Sequence, residues 1–487
     1  MASTFYELQL FVLAAFCVTA VFFEQRAAKR KEATAAASPE RRVEGVENGH
    51  GNGNGWKADH SSTAAAGLTR QYLIVYAIVM GADWLQGPYV YSLYREQYDF
   101  PERIVATLFV TGFLSAGITA PVVGAWADQH GRKRVCMAFC VTYTLACLCT
   151  LFPFLPILFF GRLLGGISTS ILYSAFESWL VSSSGNLGLA QSQLSSILGR
   201  ATLVNGFVAT TAGIVSNKLV GTFETFTAPF IASGVLLLLA WTAIKSLWAE
   251  NYGNGGGSAS VGDTFQLKRL GHAWRIVSSD PTLLTLGLTQ TCFEGSMYLF
   301  VFAWVPSLQD ASPAGDQLPF GYIFSSFMIA MMLGSVVYTS VVSNQPPQPA
   351  SLTARGQTPE SSLTLHAKLS SIVCTVSAFA LAVSVMSEDV RVRFWAFCLF
   401  EACVGMYYPV QGMLRGTLIS NDHRATLSSL FRVPLNVFVV VALMTGVSSA
   451  RLYVFSACSV VLAISAIMTG LIVVRRAEEM AGQTLRP

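Results

Sequence analysis

Asp83 stands near the middle of the apolar run that contains MGADWLQGPYVYSLY (Met80–Tyr94), and four more charges, Arg162, Glu177, Glu294 and Glu401, fall inside other apolar runs. An ionised side chain at the middle of a bilayer costs at least ~3 kcal/mol. Charges placed there serve the protein's interior: they pair, take up protons, or meet a polar solute in a water-filled path. Enzyme chemistry has no comparable foothold. The chain carries no G-x-x-x-x-G-K-[ST] phosphate loop, H-E-x-x-H helix or G-x-S-x-G elbow. The six histidines (His50, His60, His130, His272, His366 and His423) all read as loop residues without a metal-ligand spacing, which leaves no histidine relay inside the membrane. No bound cofactor, metal or nucleic-acid partner is expected.

Membrane-length helices must position these charges. Of the 487 residues 53% are hydrophobic and only 12% charged, against roughly 25% charged in a globular protein. About thirteen apolar runs reach the ~18 residues needed to cross a bilayer as helix. The first, 5–23, has no Lys or Arg ahead of it and Glu7 at its start, which favours an extra N-terminal transmembrane helix (1–23) over a cleaved leader. Residues 24–71, basic and then Gly/Asn-rich (NGHGNGNG), read as a flexible cytoplasmic linker.

Twelve core spans follow, at 72–93, 104–126, 135–153, 155–181, 195–217, 228–248, 281–305, 319–343, 367–387, 392–414, 425–447 and 452–474. They form an N-terminal half (72–249) and a C-terminal half (281–474), separated by a central cytoplasmic loop (250–280) and followed by a tail (475–487). Most loop Lys and Arg, among them Arg26, Arg132, Lys133, Arg134, Lys268, Arg269, Arg475 and Arg476, fall on one side, which the positive-inside rule assigns to the cytoplasm. The ten cysteines all lie in spans and read as buried, reduced thiols.

The halves share a weak repeat. LSSILGRATLVNGFV in the fifth core span and LSSLFRVPLNVFV in the eleventh set Arg200 and Arg432 at matching depths. FFGRLLGG in the fourth and CLFEACVG in the tenth put Arg162 and Glu401 each four residues before a glycine, Gly166 and Gly405. A six-plus-six parallel repeat is a transporter architecture with its solute site between the halves. Between the second and third core spans, GAWADQHGRKR (Gly124–Arg134) has the spacing G-x-x-x-D-x-x-G-R-K-R and resembles the loop motif of the major facilitator superfamily. Gly124, Asp128, Gly131, Arg132 and Lys133 form the expected gating set. Gly131 permits a tight turn, and Asp128 can pair with Arg132 or cap a neighbouring helix. SNQPPQPASLTARGQ, at the corresponding place in the second half, lacks the motif, so that gate should be looser.

ADWLQGPYVYSLY, GRLLGGISTSILYSAFESWL, FRVPL and FE-x(5)-FVFAW-x-P resemble the molybdate-anion transporter family within that superfamily, over nearly the whole chain. The resemblance implies an all-α major facilitator fold and high-affinity uptake of a tetrahedral oxyanion, molybdate, by alternating access. It also implies a cavity lined by the first, fourth, seventh and tenth core helices, which carry Asp83, Arg162, Glu177, Glu294 and Glu401. Arginine's planar fork suits an oxyanion. Arg162, Arg200 and Arg432 are the substrate candidates, with Ser168, Thr169, Ser170 and Tyr173 as neutral donors. Asp83 and Glu294 are candidate proton sites or salt-bridge partners.

Other roles stay open. Arg162 could neutralise Asp83 or Glu401, and Arg200 and Arg432 could snorkel to the interface. Glu177 suits a gate ion pair, and Tyr407 and Tyr408 suit packing as well as donation. The partners implied are molybdate, protons as a coupling ion, and the lipid bilayer of a cell membrane or an internal one. A carrier for another oxyanion or a small metabolite, or a non-transporting sensor of the same fold, are the rival functions.

Overall fold

A computed structural model describes residues 2–36, 54–189, 191–252, 274–313, 317–343, 360–419, 424–446 and 451–484. Among them every regular element is helical. Helix α1 (Ala2–Ala36) precedes the core. The first half comprises α2 (Asn54–Gln86), α3 (Glu102–His130), α4 (Arg132–Cys149), a fourth crossing in two pieces, α5 (Leu155–Leu172) and α6 (Ala175–Asn186), then α7 (Gln191–Phe223) and α8 (Ala228–Leu247). The second half is α9 (Pro281–Ala311), α10 (Phe320–Ser343), α11 (Glu360–Met386), α12 (Val390–Leu418), α13 (Arg424–Gly446) and α14 (Arg451–Met468), which continues through a π-helical stretch into α15 (Arg475–Thr484).

Three expectations change. Residues 24–36 and 54–71, expected as linker, are helical extensions of α1 and α2, while 37–53 lies outside the described residues. So do most of the central loop and of the Pro-rich SNQPPQPASLTARGQ stretch. The fourth crossing, expected as one helix, breaks at Tyr173 and Ser174. His366 is not in a loop. It lies in α11, buried, with one ring nitrogen 3.0 Å from the Tyr338 hydroxyl and the other 2.6 Å from the Ser362 carbonyl. His60 and His130 also stand on helices, whereas His50, His272 and His423 lie outside the described residues.

The apolar pattern explains the helices and also why some are hard to see. Nine helices among the described residues are long and apolar enough to cross a membrane by length and composition alone. Helices α9 and α12 are not among them, because they carry Gln290, Glu294, Arg393, Glu401, Gln411 and Arg415 toward the protein interior. Helix α1 shows a narrow buried stripe, Tyr6, Leu10, Leu13 and Cys17, at helical spacing, with Phe11, Phe16 and Phe23 exposed on its other faces. The helix packs on α10 and touches the start of α12, where Tyr6 stands edge-on to Phe394 at 5.2 Å and Arg391 lies 4.9 Å from the Phe5 ring centre. The extra helix is thus attached to the C-terminal half.

Packing makes the weak sequence repeat plain. In the first half α2 packs on α7 and α8, α3 on α5, and α4 on α5 and α8; in the second, α9 packs on α13 and α14, α10 on α12, and α11 on α12 and α14. Each contact recurs six crossings later. Gly166 and Gly405 are the close-approach points of the matched pairs: a Cβ at Gly166 would strike the Gly112 carbonyl of α3, and one at Gly405 the Met331 carbonyl of α10. The halves meet along α3–α13 and α7–α10.

They also close at one end of the bundle, where α2 and α9 finish. Phe302 of α9 stands edge-on to Phe109 at 5.0 Å and Tyr91 at 5.6 Å, Phe113 lies 5.1 Å from Tyr298, and Gln309 donates to Glu96 at 2.7 Å. Toward the other end the facing helices separate. Tyr173 is 63% exposed and Tyr408 45%, and Gly412 and Gly416 on α12 have open space where a Cβ would sit. The space between the halves therefore opens toward the end that holds the Gly131 loop.

Candidate functional site

Polar side chains in α2 are placed by its neighbours. Trp84 donates to Asn205 of α7 at 2.8 Å, and Gln86 donates to Ser233 of α8 at 2.9 Å. Pro88, which lacks an N–H, opens a 3₁₀ turn at Gly87–Tyr89 that ends the regular helix. Asp83 accepts a 2.6 Å hydrogen bond from the Tyr143 hydroxyl of α4. Among the described residues no cation lies within ion-pair distance of it.

Arg162 on α5 is likewise held without a carboxylate. Its Nε donates to the Leu108 carbonyl at 3.1 Å, and its guanidinium stands over the Phe109 ring at 5.1 Å. Gly112 makes the room, since a Cβ there would come within 2.9 Å of Nη2. Tyr143 feels both Asp83 and Arg162. The two opposite charges share a neighbour but form no ion pair.

The neutral donors expected on the fourth crossing divide. The Ser168 hydroxyl is buried 2.8 Å from Thr142 of α4, and Ser170 donates to the Ala116 carbonyl of α3 at 2.7 Å and lies 3.0 Å from Thr119. Both tie helices of one half together and do not reach the open space, which corrects their assignment as substrate donors. Thr169 donates to Gly165 of its own helix at 2.9 Å. Tyr173 alone of the four is exposed, within electrostatic reach of Asp83, Tyr408, Tyr76 and Tyr298.

Glu177, one turn beyond Tyr173, is exposed and interacts electrostatically with Tyr72 and Tyr76. Arg200 is exposed and bonds to nothing among the described residues; the side chain of Arg432 lies outside them. Neither arginine is brought to Arg162 by any described contact.

In the C-terminal half Glu294 accepts from Gln290 at 3.3 Å and from the Tyr407 hydroxyl at 3.4 Å, while Tyr407 stacks on Phe293 at 3.9 Å. Arg415 of α12 donates to Gln290 at 3.2 Å and to the Gln411 carbonyl at 3.3 Å. Sequence reading missed Arg415, which directly follows the tenth core span as read from sequence; the helix continues past it to Leu418. It stands one turn from the end of α12, yet its side chain points back along the helix toward Gln290 and does not snorkel outward. Glu401 is buried, and no cation among the described residues pairs with it. An apolar cavity of about 130 Å³ between α9 and α14, lined by Leu288, Cys292, Val461 and Ile464, lies apart from these charges.

A family model described as sugar transporters with 12 TM, of the major facilitator type, matches residues 53–388. A protein of Takifugu rubripes named molybdate-anion transporter is 30% identical over 400 residues, which cover 77% of this chain and 78% of that protein. One of Danio rerio with the same name is 31% identical over 395 residues, covering 77% and 78%. This chain belongs to the molybdate-anion transporter family. It is a multi-pass membrane protein of a transporter family and not an enzyme. The crystal structure of the peptide transporter POT superposes with a TM-score of 0.66 at 9% identity, over 86% of this chain and 99% of that one, and so shares its fold.

The Gly124–Arg134 loop of this molybdate-anion transporter family member is built around a residue its motif does not contain. Gly131 adopts φ 102° between α3 and α4, a conformation that favours glycine. Against it sits the Glu250 carboxylate, which accepts from the backbone N–H of Lys133 at 2.8 Å and of Arg134 at 3.3 Å and lies 3.8 Å from the Arg134 guanidinium. An anion at a helix N-terminus is favourable. Lys133 Nζ caps the end of α8 through the carbonyls of Trp248 at 2.6 Å and Lys245 at 3.0 Å, and Arg132 donates to the Tyr252 carbonyl at 3.4 Å. Trp248 stacks on Trp179 of α6 at 3.8 Å, and Asn251 donates to the Trp179 carbonyl at 3.0 Å. The loop thereby clasps the ends of α6 and α8 within one half. Gly124 and Asp128 both stand on α3, and the Asp128 side chain lies outside the described residues.

Proposed function

We propose that this chain is a secondary active transporter that takes up molybdate across a cell membrane by alternating access. What supports the reading is a pair of matched six-helix halves with charges set inside otherwise apolar helices, in a chain whose relatives are named molybdate-anion transporters. The basic loops assign the open end to the cytoplasm, which makes this conformation inward-facing. Arg162, with two N–H-bearing ends not engaged by any carboxylate, offers the fork for the oxyanion. Arg200 and Arg432 guide anions at the mouth.

An inside-negative potential opposes a dianion by ~4.6 kcal/mol per 100 mV, at ~2.3 per charge. A co-transported proton relieves this, and Asp83 or Glu294 is the group to carry it. On closing, Glu177 of α6 moves toward α12, where Arg415 waits as the facing cation, and the Gly131 latch carries the motion. The description of the matched family as sugar transporters supports a second reading, a carrier for a neutral metabolite. Uptake of labelled molybdate by cells expressing the chain, competed with sulfate and with sugars, separates them. Competition by sulfate or tungstate alone fits an oxyanion site, whereas competition by sugars with no molybdate uptake contradicts it.

A further inference from the structure

The cavity of about 130 Å³ between α9 and α14 takes no part in the solute path, and its lining decides what can enter it. Three hydroxyls touch it, and each already has a partner. Thr285 donates to the Pro281 carbonyl of its own helix at 2.8 Å, Thr289 and Thr469 lie 3.1 Å apart, and Ser465 donates to Thr289 at 3.0 Å. Thr289 and Ser465 are buried, so these bonds tie α9 to α14 across the cavity floor. The walls are Leu288 and Cys292 on α9 and Val461 and Ile464 on α14. A buried water needs two to four polar partners, and the hydroxyls here are spent on one another. An apolar cavity of similar size, ~150 Å³, stays dry and takes benzene, so this one has room for about six carbons.

The way in is from the membrane. Leu288 is 40% exposed and Ile464 50%, and Val460 and Ile467 beside them on α14 are exposed as well. Helix α14 is long and apolar enough to cross a membrane, and in a multi-pass membrane protein such a rim is continuous with the lipid-facing surface. The lining residues of α9 stand ~6 to ~17 Å from its start by helical rise. The basic loops assign that end to the cytoplasm. The cavity thus opens in the cytoplasmic half of a hydrocarbon core ~30 Å thick, where acyl chains lie. Leu288 and Cys292 also stand on the side of α9 turned away from Gln290 and Glu294, which bond toward α12.

We infer that this cavity is a binding site for a phospholipid acyl chain of the cytoplasmic leaflet, a segment of which fills the cleft between α9 and α14. The seated chain packs against the back of the helix whose other face bears Gln290 and Glu294. The inference is independent of the oxyanion reading, since it needs only a protein in a bilayer.

The test is photolabelling of the purified full-length protein in phosphatidylcholine nanodiscs that contain a phosphatidylcholine with a diazirine in its acyl chain, the labelled peptides being quantified by mass spectrometry. The exposed face of α1 around Phe11 and Phe16 touches lipid without a cavity and is the internal reference. Residues 285–292 and 461–468 should label about fivefold or more above that face. Val461→Phe and Cys292→Phe, which fill the cavity from opposite walls, should each bring the labelling of the facing wall down to the level of α1 and leave α1 unchanged. Melting temperatures report whether each variant is folded, and where one is not, the wild-type ratio decides alone. Equal labelling of the cavity and α1 in the wild type, or cavity labelling that survives both substitutions in folded protein, overturns the site.

Discussion

Arg162 and its surroundings set the terms at the scale of single residues. Its Nε is committed to the Leu108 carbonyl and its face to Phe109, an anchoring that lysine, with no Nε and no planar group, cannot reproduce. Arg162→Lys should therefore weaken molybdate binding by about 1–3 kcal/mol, the range for a charge-assisted hydrogen bond. A counter-ion role predicts instead a nearly silent lysine variant, and rescue of Arg162→Met by neutralising Asp83 or Glu401. Isothermal titration of the variants separates the two. The charges themselves were legible in the sequence, because a carboxylate or guanidinium inside an apolar run stands out. Ser168 and Ser170 were not, since a small hydroxyl on a helix serves a cavity or a helix contact equally well, and only the packing of α3 and α4 against α5 assigns them to contact.

Among the elements, the Gly131 loop shows how far a motif can be read. Its spacing identified the turn, but the carboxylate it engages, Glu250, lies far along the chain at the end of α8, where local sequence gives no hint of the pairing. Glu250→Gln should remove charge from the start of α4 and loosen the clasp on α6 and α8. Transport turnover should fall while molybdate affinity stays within about twofold, because the change acts on the balance between conformations. Loss of affinity at unchanged turnover would contradict that role.

The paired glycines make a second prediction. Gly405→Ala would push a methyl into the Met331 carbonyl and should cost about 1–3 kcal/mol of stability as overpacking, read as a lower unfolding temperature. An unchanged temperature would show that α10 and α12 are free to separate. Helix α1 was legible as a span from its apolar run, but its seat on α10 was not, because four apolar residues at helical spacing fit many faces.

For the whole molecule the architecture follows from pairing each helix contact with its counterpart six crossings later, which leaves two halves joined along α3–α13 and α7–α10. This conformation is sealed by Phe109, Phe302 and Tyr91 at one end and open at the other. The reverse conformation must seal the open end, and Glu177 and Arg415 stand there on opposing halves, at ~33 Å and ~37 Å along the fourth and tenth crossings by helical rise. Charge reversal at either position alone should impair transport, and the paired exchange Glu177→Arg with Arg415→Glu should restore it; equal loss in the double variant would exclude the contact.

The central claim is that the chain moves molybdate through the space between its halves. Purified protein in proteoliposomes, loaded with labelled molybdate outside and tested with and without an inward pH gradient, measures it directly. The account predicts saturable molybdate entry, accelerated by the gradient and abolished in Arg162→Met. Entry no faster than in protein-free liposomes, with the protein folded and inserted, would contradict it.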